Sequence, residues 1–218
     1  MTMPRFFLDI SMSLDGFVAG PTATLEEPLG KGGERLHEWA LRLASWRSQH
    51  GLEGGETGPD DELSRELQAR VGAVVIGRRM FSGGDGPWES DPNADAWWGD
   101  DPPFHVPVFV LTHHEREPVV KEGGTTFTFV TDGIESALEQ ARAAAEDSDV
   151  QLSGGASVAQ QYLRAGQLDE LNVHVAPILL GGGVSLFGEL GPDAPGLKLT
   201  KVVESPFVTH LTYEIERA

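Results

Sequence analysis

The chain has 218 residues, 39% hydrophobic and 23% charged, enough apolar material for one sizeable core. Its 34 acidic and 16 basic residues give a formal net charge of -18, a field that repels nucleic acid and anionic membranes, so a phosphate ligand needs a local pocket. The absence of cysteine excludes disulfides, thiolate catalysis and cysteine-bound zinc and accords with a reducing cytoplasm.

The opening segment, MTMPRFFLDISMSLDG, runs directly into a strand pattern at 5–13 and lacks the apolar core and cleavage site of a secretory signal. No apolar stretch approaches transmembrane length. The expectation is a cytoplasmic protein of one domain, 1–218, with no internal repeat and no linker. LDGFVAG then turns at Gly16 and Gly20. Residues 33–50 place Leu36, Trp39, Ala40, Leu43 and Arg47 at helical spacing, which predicts one amphipathic helix, broken by GLEGGETGPDDE. AVVIG at 73–77 is a short apolar run of the kind buried on both faces, followed at once by the helix start RRMF. From Ser82 to Pro107 the chain is rich in Gly, Pro, Asp and Trp, and Trp88, Trp97 and Trp98 predict a packed loop. Strands follow at 107–112 and 126–130, and a helix at 133–147 with Ile134, Leu138 and Ala141 on one side. VQLSG leads into the helix ASVAQQYLRAG, ELNVHVAPILLGGG at 170–183 is another buried strand, and LKLTKVVESPFVTHLTYEIE makes two final strands. Roughly eight strands and four helices in this order imply an α/β fold: a largely parallel central sheet covered on both faces, with antiparallel C-terminal strands.

The junction VQLSGGASVAQQYL at 150–163 stands out. A strand, two glycines and a helix start bring unpaired N–H groups and the positive end of the helix dipole together, which suits an anion. The same turn also serves as a bare junction that lets helix and sheet approach. It is not the dinucleotide fingerprint, because GGASVA lacks the G-x-G-x-x-G spacing and lies late in the chain. Arg78 and Arg79 are adjacent at a helix start, where basic residues are unusual; pairing with surface carboxylates is expected of one of them but not both. A zinc site from His105, His113 and His114 is disfavoured, since adjacent residues on a strand point to opposite faces and no carboxylate is spaced to help; no metal is expected.

SMSLDGFVAG, VVIGRRMF, VFVLTHH, LSGGASVAQQYL and LDELNVHVAPILLGGGVSLF occur in the order and approximate spacing of the dihydrofolate-reductase-like superfamily. Over nearly the whole chain the sequence resembles the branch related to the reductase domain of bifunctional riboflavin-biosynthesis deaminase/reductases. That resemblance implies a three-layer α/β/α sandwich around a mixed sheet, and NADPH as cofactor. It implies that Gly154, Gly155, Ala156, Ser157 and Val158 hold the pyrophosphate, and that Gly77, Arg78 and Arg79 meet the adenosine side. Thr112 and His113, with His114 and Arg116 nearby, border the 2′-phosphate. Asp15, Gly16 and Phe17 belong to the loop that closes over nicotinamide and substrate. Asp15 there reads equally as a proton donor or as a turn carboxylate bonded to nearby N–H groups. Pro177, Leu180 and Gly181 line the substrate side or form a tight turn before Val184.

Dihydrofolate reductases carry a carboxylate on the inward face of the helix after the first loop. Here the stripe is Leu36, Trp39, Ala40 and Leu43, and Glu38 falls off it. Folate reduction is therefore disfavoured. The expected activity is NADPH-dependent reduction of a small planar pterin-like, pyrimidine or other carbonyl or imine substrate; the alternative is a non-catalytic NADP(H)-binding or regulatory homodimer. The resemblance also implies a homodimer, which would cover the alternating final strands.

Overall fold

The computed structural model describes residues 4–188, 190–192 and 194–216; Met1 to Met3, the start of the segment read as leaderless, lie outside them. The strands are β1 (Phe6–Ser13), β2 (Phe17–Ala19), β3 (Val71–Gly77), β4 (Pro107–Leu111), β5 (Val119–Val120), β6 (Thr126–Val130), β7 (Asp149–Leu152), β8 (Glu170–Ala176), β9 (Val184–Ser185), β10 (Gly196–Glu204) and β11 (Thr209–Glu216). The α-helices are α1 (Glu38–Leu41), α2 (Ala44–Gln49), α3 (Pro59–Ala69), α4 (Arg78–Ser82), α5 (Ile134–Ala145) and α6 (Ala156–Arg164). Nine strands form one sheet in the order β10-β11-β8-β1-β7-β3-β4-β6-β5, while β2 and β9 make a separate pair. The run from β8 to β6 is parallel. β11 and β10 continue it antiparallel on one side and β5 on the other. The mixed sheet with antiparallel C-terminal strands is thus as expected, and β2, β5 and β9 are too short to show in a periodicity.

Alternation along the strands builds three layers. Phe6 and Leu8 of β1 join Val75, Leu152 and Val173 in a core with Leu138 and Ala141 of α5 and Val158 and Tyr162 of α6. On the opposite face Phe7 packs with Leu63 and Leu67 of α3. Further along that face, Val74, Ile76, Val108 and Val110 pack with Phe81 of α4 and with Trp88, Trp98 and Phe104 from the long loop. The Trp-rich loop is therefore packed, as its composition predicts. Its more exposed Trp97 is tied down by an Nε1–H donated to the Met80 carbonyl at 3.0 Å.

The predicted single helix over 33–50 is broken into a 3-10 turn at Gly33–Leu36, α1 and α2. Leu43 is extended (ψ 142) and bridges to Glu56, and the Ala44 N–H donates to the Glu56 carbonyl at 2.9 Å. The returning GLEGGETG segment competes for these backbone groups, and a Cβ on Gly55 would lie 2.7 Å from Ala44, so glycine permits the approach. The predicted stripe still faces inward, with Leu36, Trp39 and Leu43 buried. Helix α3 was not anticipated. Its signals are Pro59 in the first turn, then Asp60, Asp61 and Glu62, then Leu63 and Leu67 four residues apart. Among the described residues, no helix is long and apolar enough to cross a membrane.

Candidate functional site

Parallel α/β sheets bind ligands beyond the carboxyl ends of their strands. Here the ends of β8, β1, β7, β3 and β4, neighbours in that order, carry Pro177 to Gly181, Asp15 to Phe17, Gly154 to Ser157, Gly77 to Arg79, and Thr112 to His114. Residues scattered over the sequence thus share one edge.

At its centre the Gly77 N–H donates to the Gly154 carbonyl at 2.8 Å, and a Cβ on Gly77 would stand 2.9 Å from Val158 Cγ2. Strand β3 can pass this close to α6 only as glycine. Gly154 has φ 118, a conformation that favours glycine. Gly155 is different: its φ is -81 and a Cβ there would meet nothing within 4 Å. At the start of α6 the Val158 and Ala159 N–H groups both donate to the Gly155 carbonyl at 3.1 Å, which leaves the Ala156 and Ser157 N–H groups beside that open space without intrahelical acceptors.

The two arginines part company. Arg78 is buried, bonded to Ser82 and Asp91, with its guanidinium 3.5 Å from the centre of the Trp88 ring. Asp91 is held below the usual carboxylate range: desolvation, the largest influence, raises it, but Ser82, Arg78 and the Asn93 N–H together outweigh that. Arg79 is exposed and pairs with exposed Asp85. Both arginines therefore engage carboxylates, where only one was expected to, because the 82–107 loop folds back over α4 and supplies Asp85 and Asp91. Arg116 is likewise bonded to Ala94 and to Asp95 and lies over Trp88. Thr112 is buried, its hydroxyl accepting from the His114 N–H at 3.1 Å, while His113 is exposed.

On the other side of the edge, Asp15 is a clasp. One oxygen accepts from the Ser13 hydroxyl at 2.6 Å and the Leu180 N–H at 3.1 Å, the other from the Gly181 N–H at 2.7 Å. The Ser13 hydrogen bond above all, then those from Gly181 and Leu180, hold this carboxyl below its ordinary value. The Ser13 hydroxyl also accepts from the Phe17 N–H at 2.9 Å, and the Gly16 carbonyl accepts from the Leu186 N–H at 3.1 Å. The first turn and the 177–186 segment are thereby locked together.

Sequence reasoning missed a row of polar groups on the face shared by α1 to α4. Asp9 of β1 contacts His174 of β8 (Oδ1 to Nε2, 2.6 Å), His174 contacts His210 of β11 (Nδ1 to Nδ1, 2.7 Å), and His210 contacts Asp60 of α3 (Nε2 to Oδ1, 3.1 Å). Gln151 of β7 donates to the other Asp9 oxygen at 3.2 Å. Trp39 stands 5.0 Å from each imidazole and donates to Ser11 at 3.1 Å. The available signal was a single Asp inside β1 and a single His inside β8, both in largely apolar runs, a costly placement unless partnered. Among the described residues, no group of three or more His, Asp or Glu is placed to hold a metal ion.

Comparison with known proteins bears on the chain as a whole. A family model described as the RibD C-terminal domain matches residues 4–211. The riboflavin biosynthesis protein RibD of Mycobacterium tuberculosis is 43% identical over 54 residues, 25% of this chain and only 16% of that protein, so the match spans about a sixth of the curated relative's length. A solved Shewanella sp. PV-4 protein assigned to riboflavin biosynthesis shares the fold with a TM-score of 0.62 at 23% identity, covering 98% of this chain and 99% of that one. Enterococcus faecalis dihydrofolate reductase complexed with NADP(H) shares it with a TM-score of 0.52 at 13% identity, covering 98% and 97%.

Proposed function

The chain belongs to the RibD C-terminal domain family, and from that premise we propose that it is, as a single domain, an NADPH-dependent reductase of a small planar carbonyl, imine, pyrimidine or pterin-like substrate. The observation that carries this is the open space at Gly155 beside the α6 N-terminus, where a Cβ would meet no atom of the described residues within 4 Å. The residues fit the cofactor. Gly154, Gly155, Ala156, Ser157 and Val158 would line its pyrophosphate, with the Ala156 and Ser157 N–H groups as donors and Gly77 closing the turn. Exposed Arg79 and His113, beside Thr112, would meet the 2′-phosphate. Buried Arg78 acts on this side by fixing the loop through Asp91 and Trp88. When bound, NADPH supplies a hydride.

The substrate would lie toward β1 and β8, against Phe17, Pro177, Leu180 and Gly181. Asp15, kept ionised by its three donors, is a poor acid; its role is to hold the first turn against Leu180 and Gly181. Fluorescence titration with NADPH, followed by its oxidation in the presence of an aldehyde, a dihydropterin or a ribitylaminopyrimidine, tests the reading. Tight NADPH binding with consumption by one acceptor is expected. Failure to bind NADPH overturns it, and binding without consumption by any acceptor favours the non-catalytic NADP(H)-binding role.

A further inference from the structure

We infer that Asp9, His174, His210 and Asp60 form one proton-holding chain, and that Asp9 is its delivering end, supplying the proton that hydride reduction requires. The delivery step rests on the reductase reading; the chain itself does not.

Proton counting carries the argument. Three contacts of 2.6, 2.7 and 3.1 Å link four groups in a row, and each needs one hydrogen. Two ring nitrogens at 2.7 Å repel unless a proton lies between them. Two neutral imidazoles and two carboxylates hold only two protons, which leaves one contact empty. The row therefore holds a third proton and one less negative charge. That proton can reside on either carboxyl or make either ring cationic without breaking the row, so hops along the hydrogen bonds carry it from Asp60 to Asp9.

The surroundings give the row a direction. The His174, His210 and Asp60 side chains are 6%, 2% and 11% exposed, against 22% for Asp9. Trp39 covers both rings. Asp9 and Gln151 lie on the stretch of sheet between the α3 cluster at Phe7 and the α4 cluster at Val74 and Ile76. Gln151 precedes Gly154 by three residues, roughly 10 Å along a strand. Other ionisable groups near the rings are His37, half-buried before α1 and held low by desolvation and then by His174, and Asp61, bonded to Ser45 and Arg65. Farther down β8, Glu170 is paired with Arg5 and Arg70. None of these interrupts the row.

In the reduction, the C=O or C=N π bond of the acceptor breaks. Its carbon gains the hydride as NADPH becomes NADP⁺, and its oxygen or nitrogen takes the proton from the Asp9 carboxyl. Delivery leaves the Asp9–His174 contact empty, with His174 protonated at Nδ1 and His210 at Nε2. Asp9, the most exposed of the four side chains at 22%, then regains its proton from water and restores the third hydrogen of the row. Asp60 sits in the first turn of α3, where its carboxylate is favoured after the proton leaves.

Two measurements test this. In ligand-free protein with ¹⁵N-labelled histidine, a strongly downfield proton coupled to Nδ1 of both His174 and His210 is expected, and lost in His210→Gln; its absence from the parent overturns the chain. With NADPH and whichever of the aldehyde, dihydropterin or ribitylaminopyrimidine is reduced, Asp9→Asn should lower kcat about a hundredfold with the NADPH dissociation constant unchanged. The parent rate should fall as pH rises and the chain gives up its third proton, with that fall displaced in His210→Gln. If His210→Gln does not fold, Asp60→Asn interrupts the same row and should show the same displacement. Parent-like kcat in Asp9→Asn overturns delivery while leaving the reductase reading intact. A parent that neither binds nor oxidises NADPH overturns that reading and the delivery with it, whereas the shared-proton signal would still establish the chain.

Discussion

At the scale of single residues, burial decides between roles that sequence leaves equal. Arg78 and Arg79 look alike in RRMF, yet Arg78 is 6% exposed and Arg79 75% at the side chain. Arg78→Ala would leave the 3% exposed Asp91 carboxylate without its cation, and breaking such a pair costs about 3 kcal/mol or more. The urea midpoint should fall accordingly. Arg79→Ala loses an exposed pair worth at most about 1 kcal/mol, so stability should barely move; NADPH over NADH preference should drop about tenfold. The reverse pattern would exchange their roles. His210 supplies a second test. Burial first, then His174, push its ring down to about 4. An unfolded histidine takes its proton near about 6.5. Between these values the unfolded chain binds more protons, so stability falls as pH drops from about 6.5 toward 4, by roughly 3 kcal/mol in full. That limb should flatten in His210→Gln; an unchanged slope would assign it to other groups. None of this was legible in sequence: Asp91 and Trp88 lie in a loop without periodicity, and His174 meets His210 only through the β8–β11 register.

At the scale of elements, strands were legible because apolar, β-branched runs bounded by glycine have few alternatives, and the Gly154–Gly155 junction announced itself. Helices were less so. The 33–50 stripe predicted the burial of Leu36, Trp39 and Leu43, while Ala40 and Arg47 are only half-buried; it did not show the break at Leu43, because the competitor, Glu56, lies beyond a glycine-rich return. Helix α3 was obscured by reading its Pro-Asp-Asp opening as part of that return. The two glycines at the cradle give an internal control. Gly77→Ala forces a Cβ to within 2.9 Å of Val158, and such overpacking costs typically about 1–3 kcal/mol. Gly155→Val meets no atom of the chain at its Cβ, so its melting temperature should stay near that of the parent while NADPH affinity falls at least tenfold. Equal NADPH affinity in parent and Gly155→Val would return the turn to a plain strand–helix junction.

At the scale of the whole molecule, the sheet ends in a strand that is poorly covered. Strand β10 carries Leu197, Leu199 and Val202 at 43%, 49% and 53% exposure, with Phe207 of the following turn at 40%. An edge of this length with apolar side chains outward invites pairing with another chain. A second copy is a suitable cover, since two-fold association places like against like and needs about 800 Å² per partner. Charge opposes it: each chain brings a formal net charge of -18, and at low ionic strength that repulsion is unscreened over tens of ångströms. The expected result is a homodimer at micromolar concentration whose affinity rises with salt, the reverse of an interface held by ion pairs. Leu199→Asp, adding charge at the β10 bulge, should shift it to monomer without lowering NADPH affinity, because Gly155 lies at the carboxyl edge on β7, three strands from β11. Sedimentation velocity at low and high salt reads both effects. A parent that stays monomeric at both would show that β10 is left open, and a dimer that dissociates as salt rises would place the interface on a charged surface instead.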